Sequence, residues 1–362
     1  MPFILQERVS LKSLHTFGVD ARAAWFARIA AVEDLQALAD DPRVRALPRL
    51  LLGAGSNVLF AGDFDGLVVQ VAVPGLEELP EHGDAWLIRV GAGQSWPELV
   101  ERLVRAGRPG LENLALIPGL TGAAPIQNIG AYGLELAERL HSVTVWESAS
   151  GALREMLPEQ CGLGYRDSVF KRDPDGTRVI MAVTLRLPRN WQPLTGYGEL
   201  ERELAARGAA AAPGPVDIFE AVCALRRRKL PDPAQLGNAG SFFKNPIIGR
   251  SEHGALIERF PSLVSYPLAG GRYKIAAGWL IDACRLKGVT RGPAAVYEHQ
   301  ALVLVNRGGA TGAQVLALAR EVQDRVYGVF GIVLEPEVRI VGDSGMLALT
   351  PRPSPASGRG EC

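Results

Sequence analysis

Ile117-Pro118-Gly119-Leu120-Thr121-Gly122-Ala123-Ala124-Pro125-Ile126-Gln127-Asn128-Ile129-Gly130-Ala131-Tyr132-Gly133 carries four glycines, three alanines and two prolines. A core helix or strand is not built from so little side-chain bulk. With Gln127 and Asn128 in its middle, the segment suits a backbone laid against a flat ligand that needs amide partners; the competing reading is an Ω-loop with no ligand. Gly53-Ala54-Gly55-Ser56-Asn57, after a strand expected at 49–52, has the same character. Its glycines permit positive φ and let backbone N–H groups approach phosphate oxygens. Position 58 is Val, so the G-x-G-x-x-G spacing is missing, and no helix follows. Alone, this second segment reads as a tight turn.

Around these loops the first half alternates β-branched runs with turns. Strands are expected at 66–73, 86–90, 143–146 and 179–187. Ser95 opens a helix through about Ala106, with Pro97 and Glu98 in its first turn and Gly107 just beyond it. Residues 205–215 have linker composition. Beyond them Ile218, Phe219, Val222 and Leu225 recur at helical spacing over 216–229. A second helix is expected at 278–286, a third from a Thr311 cap to before Gly328, and a strand at 332–341. The fold class is α+β: a strand-rich domain at 17–188, then an α+β domain at 206–341. The tail, 349–362, has no apolar period and is expected to be disordered and without function.

The length of 362 residues allows two or three domains, with 47% hydrophobic and 22% charged residues. Lys plus Arg equals Asp plus Glu at 39 each, which argues against a nucleic-acid binder working through bulk charge. The cysteines at 161, 223, 284 and 362 show neither C-x-x-C nor zinc-ligand spacing, so no metal is expected and a reducing compartment is. The N-terminus lacks signal-peptide character and no apolar run of about 18 residues occurs, so a cytoplasmic protein with no membrane contact is expected.

Three further segments offer chemistry. In Gly164-Tyr165-Arg166-Asp167-Ser168, an Arg between Tyr and Asp can be presented to a carboxylate or phosphate. In Asn238-Ala239-Gly240-Ser241-Phe242-Phe243-Lys244-Asn245-Pro246, Ser241 stands among small residues on one side and aromatics on the other. Phe243 breaks the G-x-S-x-G spacing, which disfavours a hydrolase nucleophile elbow and leaves Ser241 an accessible hydroxyl that can donate a proton as well as attack. Glu335 and Glu337 would share a face by the strand period. Arg226-Arg227-Arg228 before Lys229-Leu230-Pro231-Asp232-Pro233 reads as macrodipole complementation or a local diphosphate site. The five histidines show no triad or metal spacing.

Read together, LLGAGSNVLF (51–60), PGLENLALIPG (109–119), PIQNIGAYG (125–133), GYRDSVFK (164–171), KLPDP (229–233), NAGSFFKNP (238–246), AAGWLID (276–282) and LEPEVR (334–339) resemble the UDP-N-acetylenolpyruvoylglucosamine reductase (MurB) family, in its longer proteobacterial-type branch. The resemblance implies an FAD-binding domain of the vanillyl-alcohol-oxidase (PCMH) type in two lobes, followed by a C-terminal α+β substrate-binding domain. It implies NADPH-dependent, FAD-mediated reduction of UDP-N-acetylglucosamine enolpyruvate to UDP-N-acetylmuramate in peptidoglycan precursor synthesis, by a monomer acting on small molecules. FAD would lie along Gly53, Ala54, Gly55, Ser56 and Asn57, and along Gly119, Gly122, Ala123, Ala124, Pro125, Gln127, Asn128, Gly130 and Ala131. Ser241 matches the proton donor, and Arg166 and Glu337 match the pair that polarises the substrate carboxylate. Glu337 then has to be protonated or hydrogen-bonded to a donor to help. Tyr197, Lys229, Asn245 and Gln300 match positions that hold the UDP portion, with Tyr165 beside Arg166. The chain departs from the family at His15 (commonly Asn), at Ala123 and Ala124 (commonly Ser) and at His299 (commonly Gln). The alternatives are an FAD-dependent oxidase or dehydrogenase of the same fold acting on another substrate, and a non-catalytic sugar-nucleotide-binding relative.

Overall fold

A computed structural model describes residues 4–80, 83–173, 176–347 and 349. Strand Phe64–Val71 explains the architecture, because its side chains alternate between two cores. Phe64 and Val68 face one cluster, with Phe17, Phe60, Phe242 and Leu280. Leu67, Val69 and Val71 face another, with Ile88, Trp96 and Val183. A strand covered on both faces must be apolar almost throughout, as this one is. Its sheet has the order Leu5–Ser10, Arg22–Ile29, Phe64–Val71, Arg49–Leu52, the last three parallel. The other lobe is a five-stranded antiparallel sheet, Ala152–Met156, Leu140–Glu147, Arg178–Pro188, Ala85–Gly91, Leu76–Glu78. A third sheet joins Gly237–Ser241, Val303–Asn306, Ala294–Val296 and Thr290–Arg291.

Seven α-helices cover these sheets among the described residues: α1 Val32–Asp40, α2 Trp96–Arg105, α3 Gly198–Ala206, α4 Pro215–Lys229, α5 Arg250–Arg259, α6 Ala277–Ala283 and α7 Gly312–Phe330. α2 starts where its sequence places it, but the Ser95 hydroxyl makes no capping bond. The Trp96 amide instead donates to the Gly119 carbonyl at 3.0 Å, which fastens the helix to the Gly-rich segment. α7 has its expected cap: Thr311 Oγ1 accepts from the Gln314 amide, and Gln314 Oε1 from the Thr311 amide. It runs through Gly328, a tolerable cost of about 1 kcal/mol, and stops at Gly331 in the left-handed region.

α4 buries Ile218, Phe219, Val222 and Leu225 in the core of the five-stranded lobe. At the other end, Arg339–Gly342 pairs in parallel with Val58–Phe60, and the C-terminal strand thereby joins the N-terminal half. The strand expected at 332–341 is regular only from Arg339, because Pro336 lacks an N–H and interrupts the ladder. Of the expected tail, Leu349 is buried and its carbonyl accepts from Gln323 Nε2 at 3.3 Å, while 350–362 lie outside the described residues. No described helix is long and apolar enough to cross a membrane.

Candidate flavin and substrate cleft

The strand Arg49–Leu52 delivers 53–57 to the rim of a deep cleft. Gly55 has φ +63°, and a Cβ there would collide with the Leu14 carbonyl, so only glycine closes this turn. Ser56 Oγ donates to the Pro118 carbonyl at 3.1 Å. Asn57 Nδ2 donates to Gln127 Oε1 at 2.8 Å and to the Glu337 carbonyl at 3.2 Å. Three segments distant in sequence are thus sewn into one wall. Under it lies His15, whose Nε2 meets the Val19 carbonyl and whose Nδ1 is buried without a partner.

Burial holds the His15 pKa below 6.5, so the ring is neutral when folded. As pH falls below 6.5, the unfolded chain takes up a proton that the folded chain refuses, and stability drops. The penalty is at most about 1.4 kcal/mol per pH unit between 6.5 and the lower folded value. His15→Asn should therefore lose less stability than the parent between pH 7 and pH 5.5 in denaturant titrations. Equal losses in the two proteins would remove His15 as the acid-sensitive group.

Gly53–Asn57, Gly119, Ala123, Ala124, Gln127 and Gly130 line the cleft together with Arg166, Ser241 and Glu337. An adjoining cavity shares Leu50–Gly53, Ala123, Ile126 and Arg339 with it and reaches Gly122. Gly122 packs against Ala92, where a Cβ would approach to 2.5 Å. Pro125, Asn128 and Ala131 are not on the cleft wall. The buried Asn128 donates to Glu135 Oε2 and the Gly164 carbonyl and accepts from the Ala137 amide, which holds the loop's shape.

At the reactive end, Gly240 (φ +69°) bulges the strand Gly237–Ser241 where its register against Val303–Asn306 shifts. A bulge re-aims the following side chain. Asn238 pins it: Nδ2 donates to the Pro231 and Leu236 carbonyls, and Oδ1 accepts from the Gly240 amide. Phe242 and Phe243 anchor the other side in the core. Ser241 faces the cleft, and no hydrogen bond ties down its hydroxyl among the described residues. Glu337 is held alongside by its amide, which donates to the Phe242 carbonyl at 2.8 Å. Arg166 Nε donates to Glu337 Oε1 at 2.7 Å and its Nη2 to the Gly130 carbonyl at 3.0 Å. The side chains of this pair are only 19% and 13% exposed, so the contact is shielded from water. Arg166 is thus the donor that Glu337 needs. Glu335, expected on the same face, instead points out and pairs with Lys244 at 3.0 Å.

Tyr165 and the residues expected to hold the UDP portion, Tyr197, Lys229, Asn245 and Gln300, are not on the cleft wall itself. Asn245 Oδ1 accepts from the Ala277 amide at the start of α6, and the Arg166 guanidinium lies over the Tyr165 ring, 5.5 Å from its centre. Gln300 Oε1 lies beside Gly278 in the same helix. Tyr197 stacks edge-on against Tyr132 at 5.3 Å, and burial pushes its hydroxyl up to about 12. Lys229 pairs with Glu199. His299, the departure near Gln300, packs edge-on against Tyr297.

Sequence reading missed three cations on the cleft wall: Lys171, Arg226 and Arg339. The Arg226-Arg227-Arg228 run hinted at the second, but a helix-end charge pattern cannot say which Arg turns inward. Arg226 Nε is buried without a partner, and burial lowers the pKa of Arg226 and of Arg339. Buried cations without a carboxylate ask for a bound anion. Glycine-lined backbone, amide side chains and these cations fit a dinucleotide with a diphosphate. FAD would therefore be held by 53–57, by 119–130 and by Arg226 and Arg339.

A two-lobed dinucleotide cleft with a shielded Arg–Glu pair and an untied Ser defines a flavin-dependent oxidoreductase. Comparisons with known proteins agree: an FAD binding domain matches residues 23–156, and the C-terminal domain of UDP-N-acetylenolpyruvoylglucosamine reductase matches 232–341. The UDP-N-acetylenolpyruvoylglucosamine reductase of Burkholderia ambifaria is 54% identical over 90% of this chain and 94% of its own. That of Paraburkholderia xenovorans is 55% identical over 90% and 95%. The crystal structure of the Thermus caldophilus enzyme covers 93% of this chain and 99% of its own, with TM-score 0.63 and 28% identity. The chain belongs to the UDP-N-acetylenolpyruvoylglucosamine reductase (MurB) family, FAD enzymes that take reducing equivalents from NADPH.

Proposed function

We propose that this chain reduces the enolpyruvyl double bond of UDP-N-acetylglucosamine enolpyruvate to give UDP-N-acetylmuramate, with Arg166, Glu337 and Ser241 as its catalytic residues. The observation that carries the assignment is the 2.7 Å Arg166–Glu337 contact on the same cleft wall as the untied Ser241 hydroxyl. Bound FAD supplies the hydride that it has taken from NADPH. Addition of hydride to the CH₂ carbon leaves negative charge at the neighbouring carbon, delocalised into the carboxylate as an enediolate. A fixed guanidinium in a water-poor site stabilises that charge as it develops. Glu337 orients the guanidinium toward the substrate carboxylate by accepting from its Nε. Ser241 gives its proton to the carbon, which a strongly basic enediolate allows. Tyr165, Tyr197, Lys229, Asn245 and Gln300 hold the UDP-sugar. The chain works as a cytoplasmic monomer on small molecules.

The test is direct. The purified protein should be yellow, bleach with NADPH under nitrogen, and regain its colour on addition of the enolpyruvyl UDP-sugar with one product formed per flavin. Bleaching without reoxidation by this substrate would sink the proposal, and rapid reoxidation by oxygen alone would favour the oxidase reading.

A further inference from the structure

We propose that Lys171 is a positioning residue for the reduction, holding the Arg166 backbone in the conformation that brings its guanidinium to Glu337 and into the cleft. This rests on the roles proposed above for Arg166 and Glu337. Arg166 sits at φ +54°, the left-handed region that an Arg enters only when its surroundings hold it there. Lys171 Nζ donates to the Arg166 carbonyl at 3.1 Å, across the turn from the strained residue. Its own backbone is fixed twice, the carbonyl accepting from Arg339 Nη2 at 3.2 Å and the amide donating to Ser168 Oγ at 3.1 Å. Ser168, fully buried, donates in turn to the Ile126 carbonyl at 2.6 Å. The 164–171 loop is therefore bolted to the Gly-rich wall, and Lys171 is the bolt that closes on Arg166.

Lys171 also lines the cleft. Burial, then the neighbouring Lys244, bring its pKa down to about 8, with Arg339 acting the same way and Glu337 and Asp167 opposing. A protonated amine makes a hydrogen bond to a carbonyl roughly twice as strong as a neutral one. Loss of the proton should therefore loosen Arg166 near pH 8. A residue that only fills space would show no such dependence.

The experiment follows the two half-reactions of the FAD-loaded enzyme separately by rapid mixing, from pH 6 to 10, in the parent, Lys171→Met and Lys171→Arg. Thermal melting and the affinity for UDP-N-acetylmuramate, read from the flavin spectrum, are measured on the same samples. In Lys171→Met, reoxidation by the enolpyruvyl substrate should slow by about tenfold to a hundredfold, the worth of one charge-assisted hydrogen bond. Flavin reduction by NADPH should change much less, and product should bind more weakly. The parent should lose reoxidation rate as pH rises through about 8. Lys171→Arg, always charged, should recover most of the rate and lack that alkaline loss. Reoxidation within twofold of the parent in Lys171→Met would overturn the inference. So would equal losses in both half-reactions with a matching fall in melting temperature, or an alkaline loss that persists in Lys171→Arg. A parent enzyme that is not reoxidised by the substrate at all would instead count against the proposed reaction.

Discussion

Ser241→Ala should leave the flavin fully reducible by NADPH while its reoxidation by the enolpyruvyl UDP-sugar slows by about 10²–10⁴-fold, the usual contribution of a positioned proton donor. The split follows from where the hydroxyl sits. It ends a strand pinned by Asn238 and Phe242, so its removal disturbs no hydrogen bond among the described residues. Nothing in hydride transfer from NADPH needs a proton from this side chain. Protonation at carbon does, and a water not positioned for the task would have to replace it. Rapid-mixing absorbance of the flavin measures both steps. A comparable fall in both would make Ser241 a binding residue.

Arg166→Met should be nearly as damaging, slowing reoxidation by about 10²–10³-fold, as for the loss of one preorganised charge partner. Its second consequence is distinct: Glu337, 13% exposed, loses its 2.7 Å partner. An unpaired carboxylate there repels the carboxylate of the ligand, so the variant should bind product more weakly. Arg166→Lys should not rescue well, because an ammonium cannot donate to Glu337 Oε1 and the Gly130 carbonyl in the same planar fork. A lysine variant matching the parent would show that charge alone is needed.

The glycine-rich walls were legible in the sequence because composition alone forbids a packed element there. Ser241 and Arg166 both line the cleft, but their neighbours alone marked one as an accessible Ser and the other as an Arg on a loop; the resemblance to a family is what singled them out. What each loop amide bonds to was not legible, since an amide reads the same whether it meets a ligand or another loop; here Asn57 and Asn128 both donate to protein atoms. Glu335 and Glu337 were paired by strand period, and Pro336 broke the period. The partner of α4 was not legible, because helical spacing reports which face is apolar and says nothing of what will cover it; here the five-stranded lobe does. The long cationic side chains of Lys171, Arg226 and Arg339 were invisible for a related reason: their destination depends on tertiary packing several bonds from the backbone.

The strand Arg339–Gly342, paired with Val58–Phe60, sets the order in which the enzyme can be made. Synthesis runs from the N-terminus, and a domain ordinarily matures as it emerges. Here the residue that touches Asn57 and faces Arg166 lies 280 positions downstream, so Glu337 leaves the ribosome late in synthesis. A nascent chain therefore carries an open, apolar edge at Val58–Phe60 through most of its translation. Contacts closed over so long a separation form slowly. A chain terminated before Glu337 therefore lacks two residues of the cleft wall, Glu337 and Arg339, as well as the strand that pairs with Val58–Phe60.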